Sequence, residues 1–304
     1  MEHKQRLLLP FLAAFIGVGL LSLMDALMKG ASLATGVYTA SLLRSLLAAA
    51  MLAPIWLTTG FVWPKRAVLK LHIERGVVSA VMALTFFYAL TKLPIAEAIA
   101  ISFIAPLIAL YFARIFLGET ISRQAIVASL IGFAGTIVIV SGRLGRSDFD
   151  EGVALGLASL SISALLYAYN FVVIRRQSQV AKPLECATFH SGVGGLVQAL
   201  AAPFFFLLPD TETLGMIGIA AALTAIASML IAWTYARAEA QVLVPVEYTG
   251  FLWAALFGWL FFREDVTLTT ILGVSLIVAG CWLAIPRTKA SADAAKPIAS
   301  PKAD

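Results

Sequence analysis

From residue 7 to residue 285 the chain is a near-unbroken succession of apolar runs, most of them about 20 residues long, separated by short polar loops. A helix advancing about 1.5 Å per residue needs about 20 apolar residues to cross the roughly 30 Å hydrocarbon core of a bilayer. The runs cover residues 7–28, 37–57, 71–90, 95–117, 124–140, 153–174, 184–208, 214–235, 242–262 and 268–285. No soluble fold accommodates this pattern. Of the 304 residues, 61% are hydrophobic and 13% charged, whereas soluble domains carry about 25% charged residues. Too few polar side chains remain to cover a water-facing surface.

Ten spans put both termini on one side of the membrane. The loop cations say which side. With the N-terminus inside, the cytoplasmic loops hold Lys4, Arg6, Lys65, Arg66, Lys70, Arg114, Arg123, Arg175, Arg176, Lys182 and Arg237, and the tail adds Arg287, Lys289, Lys296 and Lys302. The opposite loops hold only Lys29, Lys92, Arg143, Arg146 and Arg263, several of them beside acidic residues. This bias predicts a multi-pass protein of a bacterial cytoplasmic (inner) membrane with both termini cytoplasmic. The run after Lys4 and Arg6 is too long for a signal-peptide core and reads as the first span. Residues 287–304, rich in Ala, Ser, Pro and Lys, read as a disordered tail. The net charge of +5 is accounted for by these loops, and nucleic acid is not expected as a partner.

The chain also repeats itself. Phe116-Leu117-Gly118-Glu119-Thr120 returns 145 positions later as Phe261-Phe262-Arg263-Glu264-Asp265. The same shift places Gly135 on Gly280, Tyr88 on Trp233, Lys92 on Arg237, Phe103 on Tyr248 and Asp25 on Asn170, without a gap. Five spans per half is an odd number, so the halves face opposite ways. The expected architecture is all-α and integral to the membrane: ten transmembrane helices as two inverted five-helix repeats, residues 1–145 and 146–286, around a central cavity. An inverted repeat lets each half adopt the other's conformation, which gives one chain inward-open and outward-open states of comparable energy.

Ionisable side chains inside hydrocarbon cost about 2.5–3.5 kcal/mol each on insertion scales, so each needs a reason to be there. Asp25 and Arg44 fall at similar depth near the outer side of spans one and two. They either tie helices together, with Lys29 as another partner for Asp25, or form a gate or a site for a substrate carboxylate. Glu247 follows Pro245, which removes a backbone donor and breaks span nine. A broken helix beside a carboxylate suits a cavity wall that binds an amine or takes a proton. Pro106 interrupts span four in the same way, while Glu97 near its outer start is expected to reach the surface beside Lys92. His190 opens the small-residue stretch His190-Ser191-Gly192-Val193-Gly194-Gly195, where it either packs by hydrogen bonding or shares proton coupling with Asp25, Asn170 and Glu247. Tyr88, Phe103, Tyr167, Trp233 and Tyr248 lie inside spans and either pack helices or stack a substrate. Three histidines without ligand spacing, and Cys186 and Cys281 near cytoplasmic span ends, predict neither a metal nor a disulfide, and no cofactor is expected.

The segments Tyr88-Ala89-Leu90-Thr91-Lys92-Leu93-Pro94-Ile95-Ala96-Glu97-Ala98, Phe103-Ile104-Ala105-Pro106, Leu117-Gly118-Glu119 and Ile131-Gly132-Phe133-Ala134-Gly135-Thr136 resemble the EamA family of the drug/metabolite transporter superfamily. The likeness runs the whole chain and is weaker in the second half, where Arg263 replaces the glycine of Gly118. It implies a central cavity lined by both halves and carriage of amino acids, nucleoside-like metabolites, vitamins, amines or drugs. The expectation is a secondary transporter of amino acids or related zwitterionic or aromatic compounds, in the export direction, acting as a monomer or homodimer. Import of a nucleoside-like metabolite or vitamin, of the S-adenosylmethionine or riboflavin type, is the alternative. A membrane-embedded lipid-modifying enzyme is a distant third, because neither cysteine has an adjacent base.

Overall fold

The computed structural model describes residues 2–59, 62–117, 123–144, 150–178, 180–235 and 249–284. Every regular element among them is helical: α1 (Glu2–Thr35), α2 (Val37–Thr58), α3 (Arg66–Lys92), α4 (Ile95–Ser102), α5 (Ala105–Leu117), α6 (Arg123–Leu144), α7 (Glu151–Ser178), α8 (Pro183–Ala199), α9 (Ala202–Phe205), α10 (Thr211–Tyr235), α11 (Thr249–Phe262) and α12 (Leu268–Ala284). Leu12–Thr35, Val37–Thr58, Arg66–Lys92, Ile95–Phe116, Glu151–Ile174 and Thr211–Ile231 are long and apolar enough to cross a membrane; Leu130–Gly142, Thr249–Phe262 and Leu268–Gly280 are shorter apolar helices.

Polarity is arranged inside out. Leu208 is 88% exposed and Phe204 80%, whereas Arg44 is 8%, Glu97 4% and His72 0%. Water would not tolerate that outer surface. Lipid does, and the polar groups within gather where helices can satisfy them. The chain is a multi-pass membrane protein.

Helix starts repeat in register. Arg66 and Thr211 lie 145 positions apart, as do Arg123 and Leu268, and α2 and α8 begin within one residue of that spacing. The packing repeats too. α1 lies on α10 as α7 lies on α3, α2 on α10 as α8 on α3, and α1 on α11 as α7 on α5. The pairs α2 with α8 and α6 with α12 map onto themselves.

The α6–α12 pair is glued by small residues. A Cβ on Gly135 would stand 2.5 Å from the Gly273 carbonyl oxygen, and one on Gly273 2.6 Å from the Gly135 oxygen. Only glycine lets the two backbones approach this closely. Gly135→Leu is therefore expected to force the helices apart and to abolish the monodisperse folded peak in detergent chromatography, while Leu130→Ala, on the 64% exposed face of α6, leaves it unchanged.

Two spans differ from the sequence reading. The run 184–208 is not one helix: α8 ends at Ala199, the chain turns through Leu200 and Ala201, and α9 adds a single turn. Pro203 has no N–H to offer the Ala199 carbonyl, so the helix cannot continue. The run 95–117 breaks at Phe103–Ile104 between α4 and α5, just ahead of Pro106. Turns elsewhere are tight. Gly36 alone joins α1 to α2 at a φ of 85° that favours glycine. Asp210 opens α10 by accepting the Thr213 N–H at 2.7 Å, which holds its carboxyl below the usual carboxylate range. The tail, residues 287–304, lies outside the described residues.

Candidate functional site

α2, α3 and α8 enclose a polar cavity lined by Arg44, Ser45, Ser79, Ala80, His190, Ser191 and Gly194. It is narrow, with room for about one water molecule. The small residues make it possible. α3 and α8 touch at Gly76 and Gly194, where a Cβ on Gly76 would meet Val193 at 2.5 Å, and Gly195 meets Leu46 of α2. Close backbones leave no apolar side chain to fill the space opposite Arg44.

Arg44 reaches α10, where its Nη1 donates to Thr224 Oγ1 at 3.3 Å. The Thr224 hydroxyl donates in turn to the Ala220 carbonyl at 2.8 Å. The guanidinium lies over the Phe87 ring, 5.4 Å from its centroid, a cation–π contact that partly compensates for burial. Its Nε still has no hydrogen-bond partner, and neither have Ser79 Oγ and His190 Nδ1. Three residues that line one hollow thus each carry an orphan polar atom, at a cost of about 1–3 kcal/mol each while it stays unpaired.

Asp25 on α1 is 9% exposed and interacts electrostatically with Arg44. Among the described residues it closes no salt bridge. Lys29, the other sequence candidate for its partner, is engaged elsewhere: its ammonium pairs with Glu264 and donates to the Leu93 carbonyl at 2.7 Å. Asn170, which the 145-residue shift sets opposite Asp25, is buried on α7 with its Oδ1 unpartnered.

The structure thus brings Arg44 and His190 to one cavity, with Asp25 in electrostatic reach. The aromatic candidates lie outside the cavity lining. Tyr88 is half-buried beneath the Lys92 ammonium, 6.0 Å from the ring centroid. Phe103 packs on the main apolar core, Tyr167 meets Phe171 with centroids 4.8 Å apart, and Trp233 is half-buried on α10. Glu247, Tyr248 and Pro245 lie outside the described residues, and of Pro106 only the backbone is described, as the second residue of α5. Glu97 does not reach the surface. Most of α4 is internal: Ile95 and Ala98 are fully buried and Glu97 is 4% exposed, while Ile99 and Ser102 are half-buried.

Sequence reasoning missed a second polar cluster at the end of the bundle opposite Lys29. His72 on α3, 0% exposed, joins Glu185 of α8 through Nε2 at 2.9 Å and Gln177 of α7 through Nδ1 at 2.6 Å. Arg75 donates to Gln177 Oε1 at 2.5 Å. Nearby, Tyr169 donates to Glu74, and Arg176 donates to the Phe116 carbonyl at 2.7 Å. Among the described residues no group of three or more His, Cys, Asp or Glu is placed to hold a metal ion.

A model of the EamA-like transporter family matches residues 8–141 and 154–285. The pseudopaline exporter CntI of Pseudomonas aeruginosa (strain UCBPP-PA14) is 27% identical over 287 residues, which is 94% of this chain and 97% of that protein. A riboflavin transporter of Rhizobium johnstonii is 29% identical over 214 residues, 68% of this chain and 67% of its own length. A solved crystal structure superposes with a TM-score of 0.65 at 20% identity, covering 90% of this chain and 97% of the other, a likeness in fold.

Proposed function

The chain belongs to the EamA-like transporter family, and from that premise we propose that it is a secondary carrier exporting a small zwitterionic metabolite, an amino acid or a derivative of one, across the bacterial inner membrane. The observation that carries this reading is the buried Arg44, whose guanidinium has an unspent Nε–H, on the wall of a hollow that Ser79 and His190 also line. A carboxylate satisfies a guanidinium better than water does, through charge-assisted hydrogen bonds. Asp25, opposite in charge and not bound to Arg44, receives the ammonium end of the same molecule. The exporter CntI, related over almost the full length of both chains, supports the export direction.

Alternating access follows from architecture. Helix starts and helix pairings that exchange under a 145-residue shift support two five-helix units of opposite orientation. The termini are then both cytoplasmic, as the loop cations require. A narrow cavity, with Lys29 and Glu264 paired at one end of the bundle, fits a state closed at that end. Widening the cavity admits the cargo.

The riboflavin transporter among the relatives favours a second reading, carriage of a flavin. Counterflow in proteoliposomes separates the two. Vesicles loaded with a panel of unlabelled amino acids are expected to drive saturable uptake of at least one labelled amino acid, with riboflavin inert. Riboflavin counterflow without amino-acid counterflow transfers the function to the second reading. Discrete single-channel conductance, with no counterflow of either, sinks both.

A further inference from the structure

The hydrogen-bond chain at the opposite end of the bundle has a fixed direction. Arg75 has only donors, so its Nη1 at 2.5 Å makes Gln177 Oε1 the acceptor. The Gln177 amide nitrogen therefore faces His72 Nδ1 at 2.6 Å and donates to it. A nitrogen that accepts carries no hydrogen. His72 is accordingly the neutral Nε2–H tautomer, and Nε2 donates to the Glu185 carboxylate at 2.9 Å. Arg75 fixes the tautomer of a ring it does not touch.

An imidazolium carries hydrogens on both nitrogens. With the amide as it stands, Nδ1–H would point at the Gln177 NH2 group. Rotating the amide to offer its oxygen turns that NH2 onto the Arg75 guanidinium, donor against donor. His72 can take a second proton only after Arg75 has left Gln177. Phe189 stacks on the ring, with centroids 4.4 Å apart and planes 9° apart, and holds the plane of the imidazole. Gln177 is 1% exposed and has no solvent partner to turn to.

We propose that His72 and Glu185 form a proton-binding site whose occupancy Arg75 controls through Gln177. One proton from water adds to Nδ1. The ring goes from neutral to +1 against an ionised Glu185, and release reverses the step without another bond changing. The charged and titratable groups around it are Glu74 and Arg75 on α3, Tyr169 and Arg176 on α7, and Glu185, Cys186 and His190 on α8. From α2 comes Arg44, which acts on His190, and from α1 Asp25, which acts on Arg44. Arg75 also acts electrostatically on His190, a wall of the Arg44 cavity. The arginine that guards the proton site is thus in electrostatic reach of one wall of the cargo site. Any carrier state that draws Arg75 from Gln177 is the state that binds the proton, and by linkage the proton favours that state.

As a coupling device this rests on the carrier reading; the proton site itself can be read with no cargo. The full-length protein in lipid nanodiscs, labelled with 15N-histidine, has three histidines, His3, His72 and His190, assigned by replacing each with glutamine. At pH 8 wild-type His72 is expected to show the neutral Nε2–H signature. Arg75→Gln is expected to raise its charged fraction at least ten-fold over wild type at the same pH. Gln177→Met, which removes the opposing donor by another route, does the same. Arg75→Lys, which keeps a donor on Gln177, restores the wild-type signature. Imidazolium or Nδ1–H at pH 8 in the wild type overturns the proposal. So does a His72 charged fraction no higher than wild type, at every pH from 8 to 5, in whichever of Arg75→Gln and Gln177→Met gives a dispersed, folded spectrum. Absence of counterflow would remove the carrier reading and leave these spectra as they are, so the two fail separately.

Discussion

Replacing Arg44 by alanine is expected to lower the kcat/KM of transport by at least about 30-fold, because removing one partner of a buried, charge-assisted pair costs about 2–5 kcal/mol. Arg44 is 8% exposed, its guanidinium is held by Thr224 and Phe87, and its Nε has no hydrogen-bond partner. Arg44→Lys keeps the charge but has a point donor in place of the planar fork, so it should fall between wild type and alanine. Asp25→Asn separates the two ends of the cargo: it should weaken zwitterions and spare simple carboxylates, since it removes the group assigned to the ammonium. Initial rates in proteoliposomes, with amount and orientation of each variant normalised, make the comparison. Wild-type kinetics in Arg44→Ala would dismiss this cavity as the cargo site.

How much of this could be read from residues follows from what each costs in lipid. Long apolar runs announce helices because nothing else satisfies a backbone in hydrocarbon, and the spacing of 145 seen between Phe116–Thr120 and Phe261–Asp265 is also that of Arg66 to Thr211 and of Arg123 to Leu268 among the helix starts. Arg44 and His190 stood out as ions deep in apolar runs. That they line one hollow was not legible, since the meeting of α8 with α3 at Gly76 and Gly194, and with α2 at Gly195, is set by glycines that look like any other small residues. Gln177 and Glu185 sit at the ends of their helices, where a polar residue is cheap and draws no notice, and His72 and Arg75 lie in the first three turns of α3. Glu97 failed the opposite way. Its place near a span start suggested water, but α4 is a short, mostly internal helix. Sequence position along a span gives depth only when the span is a continuous rod, and α4–α5 and α8–α9 are not.

The other large effect is expected at Lys29 and Glu264, the only described pair that ties the first helix to the α11–α12 turn by charge. Their side chains are 8% and 14% exposed. Lys29 pairs with one carboxylate oxygen, donates to the Leu93 carbonyl at 2.7 Å and lies 5.1 Å from the Phe262 centroid. The second oxygen accepts the Ile95 N–H at 2.7 Å, an otherwise orphaned donor in the first turn of α4, where the helix dipole favours negative charge. One carboxylate therefore fastens α1, α4 and the turn, whose Arg263 adopts a φ of 55° to bring it inward. Lys29→Met strands that charge and is expected to cost about 3–5 kcal/mol. Glu264→Gln keeps an acceptor for Ile95 and costs less. The double variant should recover part of the Lys29→Met loss, because neither charge is then left alone. Equilibrium unfolding of the four proteins in one detergent gives the coupling directly, and strictly additive losses would show that the pair holds nothing together. If the pair is the closed latch of a carrier, Glu264→Gln also lowers the cost of opening that end, so it should raise exchange rates while lowering stability, a combination that a merely structural salt bridge does not produce.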